Sequence, residues 1–295
     1  MSILSVTDIT KSYEKKKLAV ENLSFELNEG DFFGFLGPNG AGKSTTISLL
    51  SSLIAPDNGK IFFQGENIIN IRKKYLRNVG FIFQDPPLDR NATVKSNLIF
   101  AGTLYNLNKT LIKKNYLKLL KKFELLHLLE KKVLELSGGE KRIIDICRAL
   151  IHQPKILFMD EPTTGLDPVN RLRIWDFIKN LQKKSNVTIF LTTHYMDEAS
   201  KCSKICFIKN GNIIKVDTPN NFIEDSFELV VEFGELKEIL HNQIKKLLNN
   251  GLKVGNNSIF GLNDENLLPQ IRKISSEYAV RKTNLNDVFL WLTNS

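Results

Sequence analysis

The chain has 295 residues, of which 42% are hydrophobic and 25% are charged, values typical of a globular protein with a large core and room for two domains. The formal net charge is +9, but the lysines are scattered, so we attribute the charge to compositional bias and expect no nucleic acid partner. The three cysteines form no disulfide or zinc pattern, and no stretch approaches the roughly 20 apolar residues that cross a bilayer.

The first predicted elements are strands. Residues 3–6, 18–20 and 23–27 alternate apolar and polar side chains, as half-buried strands do. Tyr13 lies in a polar segment between them. An aromatic ring there either stacks on a nucleobase or is an ordinary half-buried surface side chain.

A P-loop follows these strands. The pattern Gly-x-x-x-x-Gly-Lys-Ser begins at Gly37, after an apolar stretch at 31–36 that predicts a strand and before helical spacing at 46–53. Backbone N–H groups and the helix dipole at such a turn attract phosphate, with Lys43 at the β- and γ-phosphates and Ser44 on Mg²⁺. The predicted phosphate-binding residues are Gly37, Pro38, Asn39, Gly40, Ala41, Gly42, Lys43, Ser44 and Thr45.

The middle of the chain combines strands with a helical insertion. Strands are predicted at 60–63 and 79–83, the second followed by Gln84, and the spacing at 91–136 is helical. A Gly-rich turn at 136–142 then enters a helix. Its start is either a second anion site or an ordinary helix entry capped by Ser137.

Two later strands end in polar side chains. An apolar strand ends in Asp160 and Glu161, which are costly to bury without a partner. With a P-loop in the same chain, Asp160 is the expected Mg²⁺ ligand, and Glu161 would orient or deprotonate a water. The strand at 187–193 ends at His194, where open α/β sheets place ligands, although a lone histidine is more often structural.

The ordered motifs resemble the ATP-binding-cassette (ABC) ATPases. They are the P-loop, Gln84, Leu-Ser-Gly-Gly at 136–139, Asp160–Glu161, Gly-Leu-Asp-Pro at 165–168, and His194. The resemblance covers about residues 3 to 220, and the residues within its motifs are similar to those of the branch serving drug, ion and polysaccharide exporters. It implies an α/β P-loop NTPase fold with an antiparallel β subdomain, a RecA-like core and a helical subdomain at about 91–150, all within a domain at 1–220.

The resemblance also implies roles within one subunit. Tyr13 would stack on adenine, Gln84 would touch Mg²⁺ or water and sense a membrane subunit, and His194 would contact the γ-phosphate. Glu161 would be the catalytic base. The expected catalytic residues are Lys43, Gln84, Glu161 and His194, and the expected metal ligands are Ser44, Gln84 and Asp160.

Other roles are implied between subunits. The residues expected to contact nucleotide held by a second subunit, or to lie between subunits, are Ser137, Gly138, Gly139, Glu140 and Asp167. The family usually has Gln at the position of Glu140, so a ribose contact there is in doubt. We expect the neighbouring Lys141 and Arg142 to compensate for its charge.

The function implied is ATP binding and hydrolysis, with ATP and Mg²⁺ as cofactors. The chain would pair head-to-tail with an identical or paralogous ATPase subunit and energise export through a separate integral membrane permease, at the cytoplasmic face of the membrane. The alternative is a soluble ABC ATPase acting on the ribosome or nucleic acid. Ribosome-bound members carry two cassettes in one chain and DNA-repair members a long coiled coil, and this sequence shows neither pattern.

The motifs stop past residue 220. Residues 221–295 predict a small accessory α+β domain, in which the order β-α-β-β-α-β is that of a ferredoxin-like domain. A final helix is predicted at 285–292.

Overall fold

The computed structural model describes residues 2–14 and 17–294. The strands are β1 (Ser2–Glu14), β2 (Lys17–Asn28), β3 (Phe32–Leu36), β4 (Asn58–Phe63), β5 (Glu66–Asn67), β6 (Val79–Ile82), β7 (Ile156–Asp160), β8 (Thr188–Thr193), β9 (Lys204–Lys209), β10 (Asn212–Asp217), β11 (Leu229–Glu235), β12 (Leu252–Val254), β13 (Asn257–Leu262) and β14 (Ala279–Lys282). The helices are α1 (Lys43–Leu50), α2 (Arg72–Asn78), α3 (Val94–Leu104), α4 (Lys109–Lys122), α5 (Gly138–Leu150), α6 (Pro168–Ser185), α7 (Met196–Ala199), α8 (Pro219–Glu224), α9 (Glu238–Leu248), α10 (Leu268–Ile274) and α11 (Leu285–Asn294), with short 3₁₀ turns at Leu126–Leu128, Val133–Glu135 and Glu265–Leu267.

An antiparallel sheet with the order β2-β1-β4-β5 forms from the N-terminal strands. The strand β1 runs further than the sequence predicts, because the polar residues 11–14 continue its pairing with β2 through several register shifts. This extension carries Tyr13 in a strand.

A second sheet, with the order β10-β9-β3-β8-β7-β6, forms the centre of the fold. The strands β3, β7 and β8 pair in parallel, and all their residues are buried, as expected for a sheet covered on both faces. Phenylalanine rings from different elements stack at its centre, such as Phe33 on Phe190 at 5.7 Å between ring centroids. This buried sheet places the carboxyl ends of the parallel strands along one edge.

The helical subdomain predicted at about 91–150 contains α3, α4 and α5. Asparagine and threonine side chains cap the first two: Thr93 accepts from the Ser96 N–H and Asn108 from the Leu111 N–H. Within the described residues, no helix is both long enough and apolar enough to span a membrane.

The chain divides into two compact units, one of residues 1–194 and 202–216, the other of residues 195–201 and 217–295. In the second unit, β11 to β14 form an antiparallel sheet with the order β12-β13-β11-β14. With α9 and α10 between the strands, this is the β-α-β-β-α-β arrangement expected from the sequence. The domain boundary at residue 220 stays a proposal.

Candidate active site

A cavity of about 850 Å³ opens at the edge where β3, β7 and β8 end. It gathers most of the residues that the sequence assigns to nucleotide binding within one subunit. Its lining consists of Tyr13, Leu18, Ala19, Asn39, Gly40, Gly42, Lys43, Ser44, Thr45, Gln84, Glu161, Thr164 and His194.

The P-loop connects β3 to α1, as the sequence predicts. Gly42 at the helix start has a φ of +107°, and a Cβ there would lie 2.5 Å from the Ala19 carbonyl oxygen. Only glycine satisfies both conditions, because other residues would be strained in φ and would clash with the backbone. The P-loop therefore packs directly against the main chain of β2 at this residue.

Lys43 is the first residue of α1, and its side chain is only 5% exposed. Its Nζ donates to the carbonyl oxygens of Gly37 at 2.9 Å and Pro38 at 3.1 Å, and lies 3.7 Å from Glu161 Oε1. Burial lowers the pKa of Lys43, while the charges of Glu161 and Asp160 oppose that shift. The ammonium group thus lies beneath the P-loop and next to a carboxylate.

Asp160 is buried at the end of β7 and does not itself line the cavity. It pairs in register with Thr192 of β8, whose hydroxyl donates to Asp160 Oδ1. The carboxylate is therefore oriented by a neighbouring strand, in the way that a metal ligand requires. Sequence reasoning missed Thr192, because its pairing with Asp160 depends on strand order.

Glu161 follows with a φ of 43°, a left-handed conformation that is uncommon for a residue with a side chain. Its N–H donates to the carbonyl and the hydroxyl of Thr192, at 3.2 and 3.1 Å. Its Oε1 lies 3.2 Å from His194 Nδ1, and its Oε2 accepts from the Thr164 hydroxyl at 3.2 Å. Lys43 Nζ and His194 Nδ1 therefore both lie near the same carboxylate oxygen. The positive φ of Glu161 is the kind of backbone strain that clusters at functional sites.

Tyr13 and Gln84 lie on the cavity wall as exposed side chains. Tyr13 is 63% exposed, which is more than expected for the half-buried surface side chain that the sequence also allows. An exposed ring at the rim of a phosphate-binding cavity is available for stacking.

The residues from Ser137 to Glu140 begin α5 and are absent from the lining of this cavity. They form a capping box: the Ser137 hydroxyl accepts from the Glu140 N–H at 3.3 Å, and Glu140 Oε2 accepts from the Ser137 N–H at 2.7 Å. That backbone hydrogen bond is the main reason that the pKa of Glu140 is lowered. Glu140 therefore has a structural role, whatever else it contacts.

Asp167 caps α6 and is also absent from the cavity lining. Its Oδ1 accepts from the N–H groups of Val169 and Asn170, both at 3.0 Å, and hydrogen bonds from Asn170 lower its pKa. The Asn170 side chain also lies against Gly139, where a Cβ would come within 2.4 Å of Asn170 Cγ. The close approach ties the segments around Gly139 and Asp167 to each other.

The expectation that Arg142 compensates for the charge of Glu140 is wrong. Its side chain is 5% exposed and donates to main-chain carbonyls, including those of Asp160 and Glu161 at 3.1 Å. Burial lowers the pKa of Arg142, and Asp145 and Asp160 oppose the shift. Sequence spacing gave no signal of this position, because its partners come from distant segments.

Comparisons with known proteins agree on one family. A family model described as ABC transporter matches residues 20–164. The Nod factor export ATP-binding protein I of a Rhizobium species is 35% identical over 296 residues, covering 98% of this chain and 96% of the relative. The protein of the same name from Cupriavidus metallidurans is 36% identical over 297 residues, covering 99% and 97%.

Solved structures of the same kind are similar. A component of the ABC transporter complex cbiONQ from Clostridium perfringens superposes with a TM-score of 0.69 at 28% identity, covering 84% of this chain and 96% of the other. A dimeric ATP-binding cassette in a post-hydrolysis state, bound to ADP and phosphate, has a TM-score of 0.67 at 26% identity, covering 73% and 98%.

Proposed function

Because the chain belongs to the ATP-binding subunits of ABC transporters and is an ATPase, we propose that it hydrolyses ATP to drive export of a substrate through a separate membrane permease. The observation that carries this proposal is the cavity in which the P-loop, Lys43, Glu161 and His194 meet. Relatives named as export proteins support the direction of transport.

We assign the chemistry to this chain's own side chains. The phosphates of ATP bind the P-loop N–H groups, and Lys43 leaves Glu161 to bind the β- and γ-phosphates. Glu161 then orients the attacking water and accepts its proton, while His194 contacts the γ-phosphate and orients Glu161. Tyr13 stacks on the base, and the P-loop residues from Gly37 to Thr45 enclose the phosphates.

The residues present fit Mg²⁺ bound together with nucleotide. Among the described residues there is no cluster of three or more His, Cys, Asp or Glu side chains that would hold a metal alone. Magnesium in ATPases is held by one or two protein groups plus phosphate oxygens, and the hydroxyl of Ser44, the oriented carboxylate of Asp160 and the amide of Gln84 suit that role. When bound, the ion would neutralise charge on the phosphates.

A second ATPase subunit completes the proposed site. Five of the predicted residues do not line the cavity of their own subunit: Ser137, Gly138, Gly139, Glu140 and Asp167. The helix α5, which starts among them, begins with N–H groups suited to an anion. We assign them to ATP held by the opposing P-loop of an identical or paralogous chain.

A permease is the remaining partner, and through it the chain would be peripheral to the cytoplasmic face of the membrane. We assign contact with the permease to the exposed Gln84 segment and the helical subdomain at about 91–150. Nothing in the comparisons supports the alternative of a soluble ABC ATPase acting on the ribosome or nucleic acid.

The test uses the full chain with ATP and Mg²⁺. Lys43→Ala should abolish nucleotide binding, and Glu161→Gln should bind ATP, lose turnover and accumulate as a dimer in size-exclusion chromatography. Glu130→Gln, which breaks an exposed pair with Lys95, is the matched control and should behave as the native chain. Full hydrolysis by Glu161→Gln, or a Glu161→Gln chain that stays monomeric with ATP and Mg²⁺, would contradict the proposal.

A further inference from the structure

Arg142 contacts the main chain that carries the proposed metal ligand and base. Its Nε donates to the Pro162 carbonyl at 2.7 Å, and its second terminal nitrogen donates to the carbonyls of Asp160 and Glu161, both at 3.1 Å. One guanidinium therefore binds three consecutive carbonyl groups at the end of β7. Because it binds main chain, it fixes this segment whatever the side chains of Asp160 and Glu161 do.

The same guanidinium also contacts the Gln84 segment. Its first terminal nitrogen donates to the Phe83 carbonyl and lies 3.5 Å from the Gln84 carbonyl. Arg142 thereby joins the segment after β6, which carries Gln84, to the end of β7 and the loop after it, which carry Asp160 and Glu161. A planar, forked donor can do this, whereas an ammonium group cannot span both loops.

A buried carboxylate lies next to Arg142 on the same helix. Asp145 is fully buried one turn along α5, with Oδ2 3.7 Å from Arg142 and Oδ1 accepting from Arg148 Nε at 2.7 Å. Arg148 also donates to the Phe81 carbonyl at 2.7 Å, within β6 rather than in the loop after it. A charged group shared by two cations gives α5 one defined position against the sheet.

The helix α5 begins at the residues that we assign to the other subunit's ATP. From this geometry we infer that Arg142 is a positioning residue, which sets the Gln84 and Asp160–Glu161 loops relative to each other and to the start of α5. The inference rests on the proposed function. Since Arg142 has no contact with the P-loop among the described interactions, it should affect Mg²⁺ use and turnover far more than nucleotide affinity.

Arg148 provides the matched control. It lies on the same helix and shares Asp145, yet its main-chain contact is with Phe81 in β6 rather than with either loop. Replacing either arginine by methionine removes a cation from the buried Asp145, so both changes should lower the melting temperature. Only the Arg142 change should alter the catalytic loops.

The experiment compares Arg142→Lys, Arg142→Met, Arg148→Lys and Arg148→Met in the full chain, well below their melting temperatures. For both Arg142 variants we expect kcat to fall by about tenfold or more and the Mg²⁺ concentration for half-maximal ATPase activity to rise severalfold. Their ADP affinity in EDTA should stay within about twofold of native. The Arg148 variants should keep the native Mg²⁺ dependence.

An unchanged Mg²⁺ dependence in Arg142→Lys, or an equal change in Arg148→Lys, would overturn the inference and leave a purely structural role. If Arg142→Met does not fold, Arg142→Lys decides, because it keeps a cation beside Asp145. A native chain without ATPase activity would instead refute the proposed function. An active native chain with normal Arg142 variants would refute only the inference.

Discussion

Glu161→Gln should strengthen ADP binding even when hydrolysis is impossible. In the structure, Lys43 Nζ lies 3.7 Å from Glu161 Oε1, so a phosphate must displace that carboxylate from Lys43. At an effective dielectric constant of about 20, the gross attraction across this distance is about 4 kcal/mol. Asp160 remains near Lys43 and Glu161 is 15% exposed to water, and both reduce what the contact with Glu161 contributes. We therefore take about a third of the gross attraction, or about 1.4 kcal/mol, as the free energy that a phosphate must overcome. The ADP dissociation constant should therefore fall about tenfold.

The measurement is ADP titration in EDTA at neutral pH, where neither turnover nor magnesium contributes. Glu130→Gln makes the same chemical change in a Lys–Glu pair at the surface and should leave the affinity unchanged. An ADP affinity for Glu161→Gln that is equal to or weaker than native would refute competition for Lys43.

Three further predictions concern stability and reactivity. Gly139→Ala should lower the free energy of unfolding, measured with denaturant, by about 1 kcal/mol, because the new Cβ would clash with the Asn170 side chain. Gly138→Ala adds a Cβ in open space and should leave the stability unchanged, and equal effects of the two changes would contradict the packing. Burial lowers the pKa of His152 from 6.5 to about 4, so the unfolded chain gains the proton first as pH falls through that window. Proton uptake by the unfolded chain at this residue should therefore lower the free energy of unfolding by at most about 3 kcal/mol by pH 4. His152→Gln should flatten the melting temperature as a function of pH in this window, while His127→Gln, at an exposed histidine, should not. Burial raises the pKa of Cys206, so maleimide should label this thiol only after unfolding; rapid labelling of the native chain at neutral pH would contradict its burial.

Local patterns predicted the elements of the site well. The P-loop between a buried strand and a helix depends on neighbouring residues, and Ser137 as a helix cap depends on one turn of chain. The geometry around Arg142 did not follow from sequence, because its partners lie up to 59 positions away and are backbone atoms that any residue supplies. For the same reason the contact between Gly139 and Asn170 required the structure.

The exposed ring of Tyr13 has a consequence for substrate choice. Stacking uses the flat face of a heterocycle, which every purine and pyrimidine presents, and it does not read the donors and acceptors along the ring edge. A cassette that holds its nucleotide, as we propose for this chain, by the triphosphate tail and the face of Tyr13 should accept GTP or CTP almost as readily as ATP, leaving the cell's nucleotide pool to set which one is consumed.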